Sequence, residues 1–396
     1  MFHNEQNSGE RPSCAENFRV KSAERAAAFH RSFPEYEPTP LLRLNSLAGQ
    51  LGLDSIYIKD ESRRFGLNAF KVLGGSYAVG NYIAERLGED ISALPFERLC
   101  SKEVKARLGD MSFSAATDGN HGRGVAWTAK RLGFKSFVFM PKGSKEERLE
   151  NIRAAGAEAW ITDMSYDDTV RFVRSESRKR GWVQIQDTAW EGYEKIPRWI
   201  MEGYCTMGLE MLEQLGGEVP THIFLQAGVG SMAGSMAAFF ADAFGSRRPV
   251  ISIVEPERAD CFYRTAEAGD GRLHFSEGPM DTIMAGLACG EPCPAAWEIL
   301  RAYGDNFISM SDRYAALGMR VLGNPLPGDR ALISGESGAA AFGAAYAVLT
   351  RPELAKIKEE LQLDGSSKIL CISTEGATDS RSYRQIVWEG RYPAAD

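Results

Sequence analysis

MSFSAATDGNHGRGVAWTAKRLG, residues 111–133, compresses a strand, a turn and a helix into one short piece of chain. MSFSAAT is an apolar run of strand length, TDGNHG is rich in the small and polar residues that make turns, and GRGVAWTAKRLG reads as a helix. The pattern repeats in both directions. Upstream, SIYIKD (55–60) leads to a helix through GGSYAVGNYIAERLG (74–88). Downstream, KSFVFMP (135–141) precedes the helix KEERLENIRAAG, EAWITDM (158–164) precedes YDDTVRFVRSESRKRG, and WVQIQD (182–187) ends the series. A largely helical stretch, 191–216, separates this from a second series: THIFLQ (221–226), the helix MAAFFADAF, RPVISIVEP (248–256) and the closing KILCIST (368–374).

Strands that alternate with helices in this way build parallel β-α-β units. The chain therefore reads as an α/β protein of two open parallel-sheet lobes. The expected division is a discontinuous large domain, 1–75 and 196–396, and a small α/β domain, 76–195. Ligands of open α/β sheets bind beyond the carboxyl ends of the strands, which points the functional questions to those turns and to a cleft between the lobes. Residues 266–294, irregular in polarity and rich in glycine, read as a loop-rich region over that cleft.

The 396 residues are 44% hydrophobic and 25% charged, a globular balance with length enough for two domains. A net charge of -7 and a pI of about 5.5 argue against nucleic acid or an anionic membrane as partner and favour small molecules. The N-terminal MFHNEQNSGERPSCAENF is polar and lacks the apolar core of a signal peptide, so the expected location is the cytoplasm. AGVGSMAGSMAAFFADAFG (227–245) approaches the length of a membrane span, but its glycines and Asp242 suit a soluble loop followed by a buried helix. Seven dispersed cysteines without a C-x-x-C fit thiols in a reducing compartment, with a pairing among Cys261, Cys289 and Cys293 left open. The five histidines are scattered and no H-E-x-x-H occurs, so no metal site is expected.

Three features carry chemistry. In FGLNAFKVLGGSYA (65–78), Lys71 stands between Phe70 and the apolar pair Val72-Leu73, surroundings that can turn a lysine amine into a carbonyl nucleophile, or simply bury its stem. In QAGVGSMAGS (226–235), Gly228, Gly230 and Gly234 leave backbone N–H groups unshielded at the start of a helix, which suits a phosphate. A dinucleotide site is the rival there, with Glu255 as ribose ligand. The spacing G-x-G-x-x-x-G is one residue too long for that fingerprint, and the loop lies deep in the chain. In TDGNHGRGVAW (117–127), a second strand-to-helix turn offers N–H groups to a carboxylate, with Thr117, Gly119 and His121 as its members and Asn120 free to donate to an oxygen substituent. A phosphate loop, a carboxylate turn and a lysine in apolar surroundings together describe a holder for pyridoxal 5'-phosphate with an amino acid bound to it.

These stretches resemble the fold type II pyridoxal-phosphate enzymes, the group that includes threonine dehydratase, cysteine synthase and the tryptophan synthase β chain. The likeness is closest to the diaminopropionate ammonia-lyases. KDESRRFGLNAFK, TDGNHGRGVAW, MPKGS, QDTAWEGYEKIP, QAGVGSMAG, IMAGLACGEP, ISGESGA and ISTEG resemble that family's blocks and occur in order from about residue 38 to the end. The resemblance implies that Lys71 is the Schiff-base lysine and that Asn120 bonds the cofactor's ring oxygen. It implies that Gly228, Val229, Gly230, Ser231 and Met232 hold the phosphate. It also implies that a hydroxyl of Ser373 or Thr374 faces the pyridine nitrogen, and that the enzyme is a homodimer.

Where many relatives have a serine before G-N, this chain has Asp118. A carboxylate there can take a Cα proton or accept hydrogen bonds from a second substrate ammonium, which 2,3-diaminopropionate has and threonine and serine lack. Asp187, in QDTAW at another strand end, is the candidate second carboxylate. The expected reaction is α,β-elimination of diaminopropionate to pyruvate and ammonia. With Lys71 and Asp118 working opposite faces of Cα, both D and L substrates are expected. A threonine or serine dehydratase with the same cofactor, and a non-catalytic ligand-binding protein on the same scaffold, are the alternatives.

Overall fold

The computed structural model describes residues 1–5, 7, 11–117 and 119–393. The strands are β1 (Phe2–His3), β2 (Leu41–Arg43), β3 (Ser55–Asp60), β4 (Ser112–Ala116), β5 (Lys135–Met140), β6 (Glu158–Ile161), β7 (Val183–Gln184), β8 (His222–Gln226), β9 (Val250–Pro256), β10 (Asn306–Met310) and β11 (Lys368–Ser373). The chain divides into two compact units. One comprises Met1–Glu16, Thr39–Arg63 and Glu210–Asp396; the other comprises Asn17–Pro38 and Arg64–Leu209.

In the first unit the sheet has the order β1-β10-β9-β8-β11-β3-β2. Its central strands pair in parallel, whereas β1 and β2 close the edges antiparallel. HIFLQ of β8 is buried at every position, as expected for a strand covered on both faces. Cys371 pairs with Phe224, so the carboxyl ends of β8 and β11, Gln226 and Ser373, come level with each other. Ile56, Ile58, Phe224, Met319, Leu332 and Phe342 belong to one apolar cluster under this sheet. Inside the same unit Lys59 and Glu210, both buried, form an ion pair at 2.7 Å, and the Lys59 ammonium also donates to the Thr39 carbonyl at 2.6 Å.

In the second unit the order is β6-β5-β4-β7, parallel throughout. Its helices follow from ordinary end chemistry. Helix Tyr166–Arg180 starts at Ser165, whose hydroxyl accepts the Asp168 N–H. It has Asp167 and Asp168 in its first turn and Arg178, Lys179 and Arg180 in its last, a distribution that complements the helix dipole. Ala126, Val138, Met140, Leu149 and Ile152 pack helices Asn120–Leu132 and Glu146–Ala155 onto the sheet.

Several particulars differ from the sequence expectation. Residues 17–38, 64–75 and 196–209 pack in the second unit, not with the larger one, because the helix that begins at Val72 lies against helix Asn120–Leu132. The strand expected over 182–187 stops at Gln184, since the Gln186 N–H donates to the Tyr193 hydroxyl instead of to a neighbouring strand. The NFISM strand β10 and the short edge strands β1 and β2 were not anticipated. The 227–245 run resolves into a turn and helix Ser231–Phe244, and no described helix is long and apolar enough to cross a membrane.

Candidate active site

Lys71 precedes helix Val72–Leu87, and glycines of two other helices press on the backbone around it. A Cβ on Gly124 would stand 2.8 Å from Val72 Cα and 3.3 Å from Lys71 C, and one on Gly203 would stand 2.5 Å from Leu73 O. Only a residue without a side chain admits backbone this close. The chain reaches Lys71 through Phe65 and Asn68, whose φ values of 50° and 59° cost on the order of 1–2 kcal/mol each. The Phe65 ring offsets its share of that strain, lying 5.2 Å from Trp127, 5.8 Å from Phe33 and 6.1 Å from Tyr36 between ring centres.

The Lys71 side chain is 15% exposed and its amine donates to Asp187 Oδ2 at 2.5 Å; the Asp187 side chain is 4% exposed. Burial alone would lift the Asp187 carboxyl, but the Lys71 ammonium and the adjacent His121 ring outweigh it and bring the group down to about 2. His121 is buried, its Nε2–H donates to the Ile185 carbonyl at 2.7 Å, and its Nδ1 lies 4.0 Å from Asp187 Oδ2. Because the acceptor is a carbonyl, Nε2 must carry the proton. Gln186 joins the turn after β7 to the end of β4. Its Oε1 accepts the Ala116 N–H at 3.1 Å, and its Nε2 donates to Ala116 O at 3.0 Å and to Asp187 Oδ1 at 3.3 Å.

The neighbouring turn runs from Thr117 into helix Asn120–Leu132. Thr117 Oγ1 accepts the N–H groups of Gly119 at 2.9 Å and Gly122 at 3.0 Å, so its oxygen is committed to shaping the turn. His121 is directed to Ile185 and Asp187, and Asn120 is the first, half-buried helical residue. Asp118, to which sequence assigned a catalytic role, lies outside the described residues.

The first unit carries the glycine turn. Gly230, at φ 87°, is the N-cap of the fourteen-residue helix Ser231–Phe244, and no side chain caps that helix. A Cβ on Gly228 would come within 3.0 Å of Gly286 O and 3.3 Å of Cys289 Sγ; one on Gly230 would strike the Phe262 ring. Gly234 lies inside the helix, its N–H bonded to Gly230 O at 2.8 Å. At the end of the adjacent β11, Ser373 Oγ bonds Ser334 Oγ at 2.7 Å, whereas Thr374 Oγ1 accepts from Gln226 Nε2 at 3.2 Å. Glu255 does not face outward as a ribose ligand would. Its carboxylate accepts the N–H groups of Phe262 at 2.9 Å and Tyr263 at 2.7 Å, which caps helix Cys261–Ala268. Among the described residues no disulfide joins Cys261, Cys289 and Cys293, and the Cys261 thiol donates to Glu255 Oε1 at 3.7 Å.

The profile of the family described as pyridoxal-phosphate dependent enzyme matches residues 33–375. The chain belongs to the pyridoxal-phosphate dependent enzyme family. Among members of that family, diaminopropionate ammonia-lyase of Salmonella typhimurium is 52% identical over 368 residues, covering 92% of this chain and 91% of its own. The enzyme of the same name from Escherichia coli K12 is 49% identical over 381 residues, covering 96% and 94%. The crystal structure of Escherichia coli diaminopropionate ammonia lyase in complex with an aminoacrylate-PLP azomethine reaction intermediate superposes with a TM-score of 0.91 at 47% identity, over 100% of this chain and 98% of that one. The fold is the family's fold type II α/β architecture.

The residues present fit the family's cofactor. The uncapped helix start at Gly230 has backbone donors with no intrahelical acceptor, closed in on sides where a Cβ on Gly228 or Gly230 would collide, as a phosphate seat requires. Lys71 supplies a partly exposed primary amine with a carboxylate at bonding distance.

Sequence reasoning missed Gln226, Gln186, Tyr193 and Phe65. A polar Gln closing an apolar strand, in HIFLQ and in WVQIQD, was the available signal for the first two.

Proposed function

We propose that this protein is a pyridoxal-phosphate-dependent carbon–nitrogen lyase that eliminates ammonia from 2,3-diaminopropionate and yields pyruvate and a second ammonia. The observation that carries this reading is the half-buried Lys71 amine held 2.5 Å from Asp187 in the turn after β7, in a chain about half identical to diaminopropionate ammonia-lyases over nearly its whole length.

Lys71 is assigned as the residue that carries the cofactor, Gly228, Val229, Gly230, Ser231 and Met232 as the phosphate grip, and Asn120 as donor to the ring oxygen; Gly234, expected in that grip, is left out because its N–H is spent on Gly230 O. Thr374 is the hydroxyl assigned to the ring nitrogen, because Ser373 spends its own on Ser334. When bound, the cofactor supplies the electron sink that makes Cα–H acidic enough to lose its proton. Lys71 Nζ and Asp118 are assigned to hold that proton on opposite faces of Cα. Asp187, kept ionised with Lys71 beside it, is too weak a base for the same task. It is suited to hold a proton at Lys71 Nζ and to bind the second ammonium of the substrate. The 117–121 turn is assigned to the substrate carboxylate through the His121 N–H, because the Thr117 N–H is spent on Phe139 O and the Gly119 N–H on Thr117 Oγ1, so the expected donors at Thr117 and Gly119 shape the turn instead.

A cytoplasmic location is proposed, on the seven dispersed cysteines without a C-x-x-C. A homodimer is proposed, with a second copy covering large apolar side chains such as Ile333, which is 55% exposed; light scattering of the purified protein checks it. The function is tested by borohydride reduction and peptide mass spectrometry, expected to place the pyridoxyl group on Lys71. Turnover of D- and L-diaminopropionate is then compared with that of serine and threonine. A label elsewhere, or faster turnover of the hydroxy amino acids, overturns the reading.

A further inference from the structure

Gln226 ends β8 and is buried, and four oxygens surround its Nε2: Ile372 O at 2.9 Å, Ser337 O at 3.1 Å, Thr374 Oγ1 at 3.2 Å and Gly338 O at 3.3 Å. Three of the four are backbone carbonyls, which only accept. The atom they face must therefore be the amide nitrogen and not its oxygen. Among the described residues, the Gln226 carbonyl oxygen meets no hydrogen-bond partner, so the side chain is held by its N–H2 end alone.

An amide nitrogen has no lone pair to offer. The Thr374 hydroxyl cannot donate to it; its oxygen accepts, and its single proton is turned away from Gln226. We propose that Gln226 is a positioning residue that occupies one acceptor site of the Thr374 hydroxyl, turns its proton toward the bound ring and thereby favours an unprotonated, accepting nitrogen there. The inference rests on the assignment of Thr374 to the ring nitrogen made above and adds what orients it. A glutamate at position 226 would put an anion against three carbonyls, and a hydrocarbon would leave the hydroxyl free to rotate.

The test uses cofactor-free protein and two ligands, pyridoxal phosphate and its 1-deaza analogue, in which a C–H replaces the ring nitrogen. Affinity is read from quenching of tryptophan fluorescence. The parent protein is expected to prefer pyridoxal phosphate by about tenfold, the worth of one well-placed hydrogen bond. In Gln226→Met that preference falls to about twofold while affinity for the deaza analogue stays within about twofold of the parent; Thr374→Val behaves alike, and Thr374→Ser restores the preference. In the double variant Gln226→Met with Thr374→Val the two losses do not add. Should Gln226→Met fail to fold, Gln226→Asn, whose amide is one methylene short of Thr374, is expected to show the same loss. A preference kept in the Gln226 variants but lost in Thr374→Val refutes the role of Gln226 and spares the placement of Thr374. A preference kept in Thr374→Val refutes both. An equal loss of affinity for both ligands in Gln226→Met assigns the residue to scaffold alone and refutes the proposal.

Discussion

Replacing Asp187 by asparagine keeps the shape of the side chain and removes the charge that Lys71 faces. The carboxyl titrates at about 2 in the folded chain against an ordinary value of 3.8, a displacement of nearly two units. At 1.36 kcal/mol per unit, the folded state gains on the order of 2 kcal/mol from having this group ionised. The sign follows from the proton count. Between about pH 4 and pH 2 the unfolded chain binds a proton here that the folded chain does not, so the stabilisation is complete above about pH 4 and disappears as pH falls toward 2. Asp187→Asn, compared with the parent when both are stripped of cofactor so that the Lys71 ammonium faces position 187, is therefore expected to unfold at lower urea than the parent from pH 8 down to about pH 4.5. The deficit should be constant over that range and shrink below it. Urea titrations followed by tryptophan fluorescence at pH 8, 6, 4.5 and 3.5 measure it. A deficit that grows on acidification, or one with its midpoint near neutrality, would refute the assignment of the low carboxyl to Asp187 and the ion pair as its cause.

Other substitutions probe the neighbouring geometry. Phe65→Ala should cost about 3–5 kcal/mol by emptying its place among Phe33, Tyr36 and Trp127. Phe65→Gly should recover about 1 kcal/mol of that through its φ of 50°, so a glycine variant less stable than the alanine one counts against the strained turn. Gly230→Ala should destabilise by about 2–4 kcal/mol, from the positive φ of 87° and the collision with Phe262, and should weaken binding of inorganic phosphate. An alanine variant as stable as the parent in urea would disprove the tight fit. Burial raises the Glu255 carboxyl to about 8, against which the Phe262 and Tyr263 N–H groups pull only in part. As pH climbs from about 4.5 to 8 the folded chain retains a proton that the unfolded chain has released, and stability falls. Glu255→Gln should thus gain on the parent across that range, and thermal midpoints that stay parallel would contradict it.

Local patterns made most of this architecture readable in advance. The strands SIYIKD, KSFVFM and HIFLQ each centre on β-branched or aromatic residues, and their partners carry helical periodicity over ten residues or more, so each piece declared its own state. Lys71 and the 228–234 turn stood out because a cation in apolar surroundings and clustered glycines are costly unless used. What stayed hidden depended on partners far away in sequence. The reach of Lys71 to Asp187 spans 116 positions and that of Gln226 to Thr374 spans 148, and no local pattern encodes either. The two-residue strand β1 has too few residues for any periodicity and exists only because β10 offers it an edge. The boundaries between the two units escaped for the same reason, since residues 17–38 join the second unit through packing that composition does not reveal.

The glycine contacts behind Lys71 bear on how such a catalyst can change. With Gly124 and Gly203 set against the main chain at residues 71–73, the backbone that carries the Lys71 side chain is placed by the crossing of whole helices. A larger residue at either glycine would have to push that backbone aside. New substrate preferences on this scaffold are then expected from recarving the turns that follow the strands.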